Sequence, residues 1–305
     1  LMHTTHVVRG EEWLPSAPKH IQMFEAFGFE APKYIHTPLI MKKDGDSLRK
    51  ISKRKDPEAL MSYYDELGYP AIAVIESLMT IINSNYEEWH TVHPDEKFTS
   101  FCFSADKMST SGALYDLMKL DDISKNIISK MTKEEVYTES LKWAKKHSES
   151  LTNIIEKDKE YYEAIINIER EQEKPRKDIA KWSDIESLIW YMYDDIYDTK
   201  EKEYEWKKIT DKEEIKKILN TYLDKYIDLS DKDIWFNNIK LMCEELGYAS
   251  NMKEYKKNPD NFKGNVADVS TVLRVALTSK SMTPDLFTIM NILGIDRIKD
   301  RYSKI

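Results

Sequence analysis

The sequence predicts a mainly helical protein with a short α/β segment at its front. Three observations carry this. Residues 1–55 mix β-branched and apolar runs with a single helical stretch, whereas beyond residue 56 the apolar residues recur at helical spacing almost to the end. Helix starts and stops are also written at matching intervals: Thr132-Lys133-Glu134-Glu135 is a capping box, and Gly68, Gly247 and Gly294 follow periodic segments.

In chain order, His6-Val7-Val8 and residues 34–41 read as strands, and residues 18–27, ended by Gly28, as the helix between them. The result is strand, helix, strand, then loop, the back half of a parallel α/β unit. Asp44-Gly45 loosens the chain after the second strand, so Lys50-Ile51-Ser52-Lys53-Arg54 is expected in a polar loop. Asp56 caps a helix with Pro57 at its first position and Gly68 at its stop. The capping box opens a helix toward Lys146. Further helices are expected over 149–171, 184–195, 211–226 and 231–245, the last closed by Gly247. Thr283, followed by Pro284, caps a helix that Gly294 ends. The stripe Trp182, Ile185, Leu188, Ile189, Met192 and Tyr193 has helical spacing and reads as core. Residues 171–177, charged and with one proline, are linker-like, and there is no internal repeat or low-complexity tract.

At 305 residues the chain is long enough for two or three domains. A charged fraction of 33% and a mean hydropathy of −0.61 describe a soluble protein. There is no apolar run of the ~18 residues that a membrane span needs and no leader-like segment, so a cytoplasmic location is expected. The two cysteines, Cys102 and Cys243, are expected as free thiols in a reducing compartment. A net charge of −8 argues against a nucleic-acid partner until its distribution is seen. Residues 149–214 carry 20 acidic and 12 basic side chains, which accounts for the whole excess. Residues 42–55 carry seven basic and two acidic side chains, and residues 262–305 seven and four.

A serine between two lysines on a flexible segment is chemistry suited to a triphosphate, because ammonium groups meet phosphate oxygens as charge-assisted donors. Alone, such a loop is ordinarily solvated surface. Its surroundings change that. His6-Val7-Val8-Arg9-Gly10-Glu11-Glu12-Trp13, then Ser16-Ala17-Pro18-Lys19-His20, then Glu25-Ala26-Phe27-Gly28, then His36-Thr37-Pro38-Leu39, lead in order to the lysine pentapeptide. This series resembles the nucleotide-binding domain of bacterial-type class I glutamyl-tRNA synthetases, with Lys50–Arg54 in the place of the KMSKS-type loop. Residues 103–120 and 262–301 resemble the family's stem-contact end and last anticodon-binding helices. No motif is legible in residues 150–260.

The resemblance implies the C-terminal half of a Rossmann-type domain over residues 1–55, a stem-contact domain over 56–130, and helical anticodon-binding subdomains over 131–215 and 216–305. It implies ATP-dependent activation of L-glutamate, with Mg²⁺ accompanying the ATP, and transfer to tRNA(Glu) by a monomer with no membrane partner. Lys50 and Lys53 then have the catalytic role. Lys53, Ser52, Ile40, Leu39 and Glu12 contact ATP, and Arg9 holds the glutamate side-chain carboxylate. Arg274, Thr283, Pro284 and Leu286 touch the anticodon. From the residues alone, Arg9 reads equally as a partner of Glu11 or Glu12, and Arg274 as a solvated charge. No HIGH-type tetrapeptide occurs, so the expectation is a C-terminal fragment inactive by itself. The alternative is a non-catalytic tRNA-binding module. His90, His93 and Cys102 match no tetrahedral metal spacing, Asp194, Asp195 and Asp198 read as helix surface, and no protein-bound metal is expected.

Overall fold

The structure, a computed structural model, describes residues 2–108 and 112–305. Part of the 103–120 stretch, Ser109 to Ser111, therefore lies outside the described residues. The chain divides into two compact units, residues 1–128 with 177–182, and residues 129–176 with 183–305. Both are dominated by helix.

In the first unit, strand β1 (His6–Gly10) is followed by a 3₁₀ turn (Glu11–Ser16), helix α1 (Ala17–Ala26) and strand β2 (Lys33–Thr37). β1 and β2 pair in parallel, His6 opposite Lys33 through Gly10 opposite Thr37, so the expected strand-helix-strand order is present. The apolar run 34–41 differs from expectation. Thr37-Pro38 ends β2, and Ile40 begins a separate strand, β3 (Ile40–Asp44), in another sheet. Proline removes a ladder donor, and the break falls there. β3 turns through Gly45-Asp46 into the antiparallel β4 (Ser47–Lys50), with Gly45 at φ 60° as a two-residue hairpin turn requires. The segment before the lysine motif is thus a hairpin and not a loose loop. The short β5 (Ala113–Leu114) pairs parallel to β3.

Helices α2 (Met61–Leu67), closed by Gly68 in the left-handed region, α3 (Ala71–Ile82), α4 (Tyr86–Val92) and α5 (Leu117–Lys130) come next. Tyr64, Tyr69, Ala73, Val74, Tyr115 and Leu120 form the buried core of this unit, and Ile40 and Ile51 pack against it. Residues 177–182 return to this unit: the Trp182 amide donates to the Gly68 carbonyl at 3.0 Å, and the Ser124 hydroxyl to the Ala180 carbonyl. Trp182 is buried, as its place in the stripe predicts.

In the second unit, the capping box is formed as written: Thr132 and Glu135 exchange side-chain to backbone bonds at 3.2 and 2.8 Å at the start of α6 (Lys133–His147). The expected helix over 149–171 is two, α7 (Glu149–Lys157) and α8 (Lys159–Ile166). Asp158 is extended, with φ −157°, and its side chain accepts from the Tyr161 amide, so a new N-cap wins over continuation. The expected helix over 184–195 is broken as well. Short helices α9 (Ile185–Ile189) and α10 (Asp194–Thr199) flank a 3₁₀ turn. Trp190, Tyr191, Met192 and Tyr193 are all buried, and four consecutive side chains cannot share one face of a regular helix.

α11 (Lys212–Thr221), capped by Asp211, runs into a wider π turn at Tyr222–Tyr226. α12 (Lys232–Leu246) ends at Gly247 as expected, and leads to α13 (Met252–Lys257). α14 (Val266–Thr278) packs against α11, α12 and the terminal α16 (Ile295–Ser303). α15 (Leu286–Leu293) ends at Gly294, but its N-cap is Asp285, whose carboxylate accepts the Thr288 amide at 3.0 Å. Thr283 is drawn off by Arg274, whose guanidinium donates to its hydroxyl.

No helix among the described residues is long and apolar enough to cross a membrane. Both cysteines are free, Cys102 exposed and Cys243 buried, where burial pushes its thiol up to about 12. A thiol-reactive chromophore is therefore expected to label Cys102 rapidly in the native protein and Cys243 only on unfolding, since the thiolate is the nucleophile. Two fast-labelling thiols in the native state overturn this.

Candidate functional site

In the first unit, the hairpin, the turn after it and the core residues beneath enclose a cleft of about 890 Å³. Lys50, Ser52 and Lys53, Leu39 and Ile40, Glu12, and Tyr64 and Tyr115 are among the residues that line it. Six of the residues singled out in the sequence are thereby brought together. The local reason lies in the alternation of Lys50-Ile51-Ser52-Lys53. Ile51 packs into the core and its amide donates to the Ile40 carbonyl at 3.0 Å, while Lys50 and Lys53 are exposed. The Leu39 carbonyl accepts the Ala113 amide at 3.0 Å, so the backbone either side of Pro38-Leu39-Ile40 is held on both edges. Burial pushes the Tyr64 and Tyr115 hydroxyls up, Tyr115 well above the usual phenol range, and the Tyr64 hydroxyl is bonded to the Glu58 carbonyl and to the Tyr115 hydroxyl.

Charge is distributed unequally around this cleft. Lys42 and Arg49 sit opposite each other on the hairpin and are paired to acids, Lys42 to Glu58 and Asp56, Arg49 to Asp44 and Asp56. Lys50 and Lys53 make no ion pair among the described residues. Asp56 does not cap the turn at Pro57–Ala59 with its side chain, contrary to expectation, because the two hairpin cations hold its carboxylate.

Arg9 lies outside the cleft lining. Its Nε donates to His36 Nε2 at 3.1 Å, Nη1 lies 2.9 Å from His20 Nδ1, and the guanidinium stacks over Tyr34 at 4.8 Å. It is not paired with Glu11 or Glu12, whose backbone turns away into the 3₁₀ segment while the Glu12 carboxylate folds over Gly10. Nη2 is buried without a hydrogen-bond partner among the described residues. Neither histidine was legible as an Arg9 partner, since both arrive from separate elements.

In the second unit a cleft of about 750 Å³ lies between α12, α14 and the start of α15, lined by Arg274, Thr283 and Leu286 together with Trp235, Phe236 and Met282. Arg274 is not a solvated charge. Its Nη1 donates to the Thr283 hydroxyl, the Thr283 carbonyl at 3.3 Å and the Pro284 carbonyl at 2.7 Å, and burial lowers its pKa from the ordinary value. All three bonds leave from one nitrogen, so Nε and Nη2 have no hydrogen-bond partner among the described residues. Thr283 is thus a partner of Arg274 and not a cap. Pro284 contributes its carbonyl from behind, and Leu286 is only 3% exposed. Phe236 and Met282, 38% and 81% exposed, were missed; the one available signal is an aromatic on the outward side of the amphipathic α12.

The suspected metal residues are otherwise engaged. His90 faces Glu76 at 3.6 Å, His93 faces Glu96, and Asp194, Asp195 and Asp198 pair with Arg297 and Arg301, Lys157 and Lys304. Among the described residues no His, Cys, Asp or Glu group is disposed to hold a metal.

The family profile described as tRNA synthetases class I (E and Q), catalytic domain, matches residues 1–122, and the one described as anticodon binding domain matches residues 114–305. The whole chain aligns with a glutamate–tRNA ligase of Clostridium perfringens at 48% identity and with one of Acetivibrio thermocellus at 45%. The chain belongs to the glutamyl-tRNA synthetase family. This synthetase-family chain spans about 55% of the length of those curated relatives. Its fold matches the crystal structure of a glutamate tRNA ligase from Elizabethkingia meningosepticum in complex with its amino acid, at TM-score 0.63, 21% identity, and coverage of 98% of this chain and 56% of that one. The anticodon-domain match runs through residues 150–260, where no motif is legible in the synthetase-family sequence.

Proposed function

We propose that this chain serves a glutamate–tRNA ligase, in which the glutamate α-carboxylate attacks the α-phosphorus of Mg²⁺-bound ATP, pyrophosphate leaves, and the glutamyl group passes from AMP to the terminal adenosine of tRNA(Glu). The observation that carries this reading is one cleft lined by Lys50, Ser52 and Lys53 together with Leu39, Ile40 and Glu12. Adenine lies against Leu39 and Ile40, and the phosphates meet Lys53 first and Lys50 second, both cations without an acid partner among the described residues. The orphaned Nη2 of Arg9 is the feature that fits a substrate carboxylate, to which it can donate a charge-assisted hydrogen bond while Nε and Nη1 stay on the two histidines. Since the chain spans about half of its curated relatives, the proposal assigns it nucleotide and tRNA contacts, with turnover reserved for the full length. It acts as a cytoplasmic monomer. Loss of glutamate-dependent ATP–pyrophosphate exchange on substitution of Lys53 tests the reading.

The second cleft supports tRNA recognition, with Arg274 and Thr283 toward the anticodon and Pro284 and Leu286 shaping their support. Binding of tRNA(Glu) is expected to weaken steeply with salt, as phosphate contacts release counterions. Arg274→Ala is expected to cost about 2 kcal/mol for tRNA(Glu) and much less for a tRNA with another anticodon. Titration of both tRNAs at two salt concentrations checks this. An equal loss for both makes Arg274 a phosphate contact, and no loss removes it from the interface.

A further inference from the structure

The lysine turn is held in shape by a residue that contacts no proposed substrate. Asp56 is 1% exposed, and its carboxylate accepts both terminal nitrogens of Arg49, at 2.6 and 2.7 Å, and the Ser52 amide at 2.8 Å. Lys42 stands 3.4 Å away and also reaches Glu58, which is 6% exposed. Lys42 and Arg49 are opposite partners on the hairpin ladder, so both side chains rise from one face and converge on the segment just beyond the turn.

The turn is closed from the other direction as well. The amides of Lys55 and Asp56 donate to the Ser52 carbonyl at 2.9 and 2.8 Å. Ser52 is thus bonded through its amide to the Asp56 side chain and through its carbonyl to the Asp56 backbone. Ile51, next door, is anchored in the core. What remains free to project is Lys53 and Arg54 on one side and Lys50 on the other, all exposed.

We propose that Asp56 is a positioning residue: by tying the Ser52 amide to the Arg49 guanidinium, it fixes the turn that presents Lys50 and Lys53 to the cleft. This rests on the nucleotide reading of that cleft. The cations divide into two kinds. Lys42 and Arg49 are spent on Asp56 and Glu58 and organise the turn, and Lys50 and Lys53 are left for phosphate oxygens. The same arrangement keeps Asp56 ionised. The Arg49 guanidinium, assisted by the Ser52 amide, holds its carboxyl well below the usual carboxylate range, so the tie is present at neutral pH and is lost only as pH falls through that depressed value.

Asp56→Asn keeps an oxygen for the Ser52 amide and removes the charge; Arg49→Gln leaves Asp56 in place and removes the guanidinium, and serves if the first variant does not fold. Hydrogen exchange of residues 51–56 in this chain is expected to accelerate about tenfold in either variant, with exchange in α14 unchanged. Affinity for magnesium-ATP is expected to fall about tenfold with Asp56→Asn, and by clearly less when the same change is made in a Lys53→Ala background, where only Lys50 is left for the turn to present, because interacting sites are non-additive. Unchanged exchange at the turn in both variants overturns the proposal, and so does an equal loss of affinity in both backgrounds. If Lys53→Ala itself leaves magnesium-ATP binding untouched, the nucleotide reading fails, while the exchange experiment still decides whether Asp56 holds the turn.

Discussion

Replacing Lys53 by alanine, in a polypeptide carrying the full length of the curated relatives, is expected to lower the rate of glutamate-dependent ATP–pyrophosphate exchange by about two orders of magnitude, roughly 3 kcal/mol of transition-state stabilisation. Glutamate KM changes little. The physical reason is timing: negative charge builds on the phosphoryl oxygens and departing pyrophosphate as the carboxylate attacks, and a cation already in place there stabilises the transition state more than the ground state. Lys53 has no ion-pair partner among the described residues, sits on a turn bonded at Ser52 and Asp56, and lines the cleft. Lys42, on the hairpin that leads into this turn, is paired to Glu58 and Asp56. Its substitution therefore acts through the turn and not through phosphate. An exchange rate unchanged by Lys53→Ala returns the motif to plain surface.

The largest effect on stability is expected in the second unit. Arg301 is 2% exposed; its Nη1 donates to the Tyr191 carbonyl at 2.8 Å and the Leu277 carbonyl at 2.9 Å, its Nη2 to Asp194 at 2.8 Å, and it stacks over Tyr197 at 3.8 Å. Arg301→Leu fills part of the volume but removes the donor to the Tyr191 and Leu277 carbonyls and one of the cations facing Asp194. Losing the donor to a buried carbonyl costs about 1–3 kcal/mol for each, while Asp194, whose side chain is 43% exposed, keeps Arg297. Denaturant unfolding followed by tryptophan fluorescence is expected to show a loss of that size in the transition of this unit. A loss below about 1 kcal/mol, the scale of an exposed ion pair, shows that the network is not what holds α14, α16 and the turn at Trp190–Met192 together.

These two residues show what kinds of information the sequence carries. Lys53 is legible because its context is local: Ile51 must be buried and the lysines beside it must not, and the pattern occupies five consecutive positions. Arg301 is legible only as one more basic residue on a terminal helix. Its partners come from 24 to 110 positions away. Asp56 lies between these cases. Asp-Pro is a strong local cap signal, yet two cations delivered by the hairpin compete for the carboxylate and win. Thr283 loses its expected cap role to Arg274 in the same way, and Asp285 takes it over.

By itself the sequence determined the elements whose signals are short-range, such as the capping box at Thr132 and Glu135, the glycine stops at Gly68 and Gly247, the parallel order around α1 and the lysine turn. It also carried the family resemblance through the ordered phrases from His6 to Arg54. Only the tertiary structure decided the broken run from Trp190 to Tyr193, the return of residues 177–182 to the first unit, and the histidine partners of Arg9. Capping and burial spacing are settled within a few residues, so they can be read along the chain. The partner of a buried charge, or the side toward which four consecutive aromatics and methionines turn, depends on which distant surfaces fold against them, and that information exists only once the chain has packed.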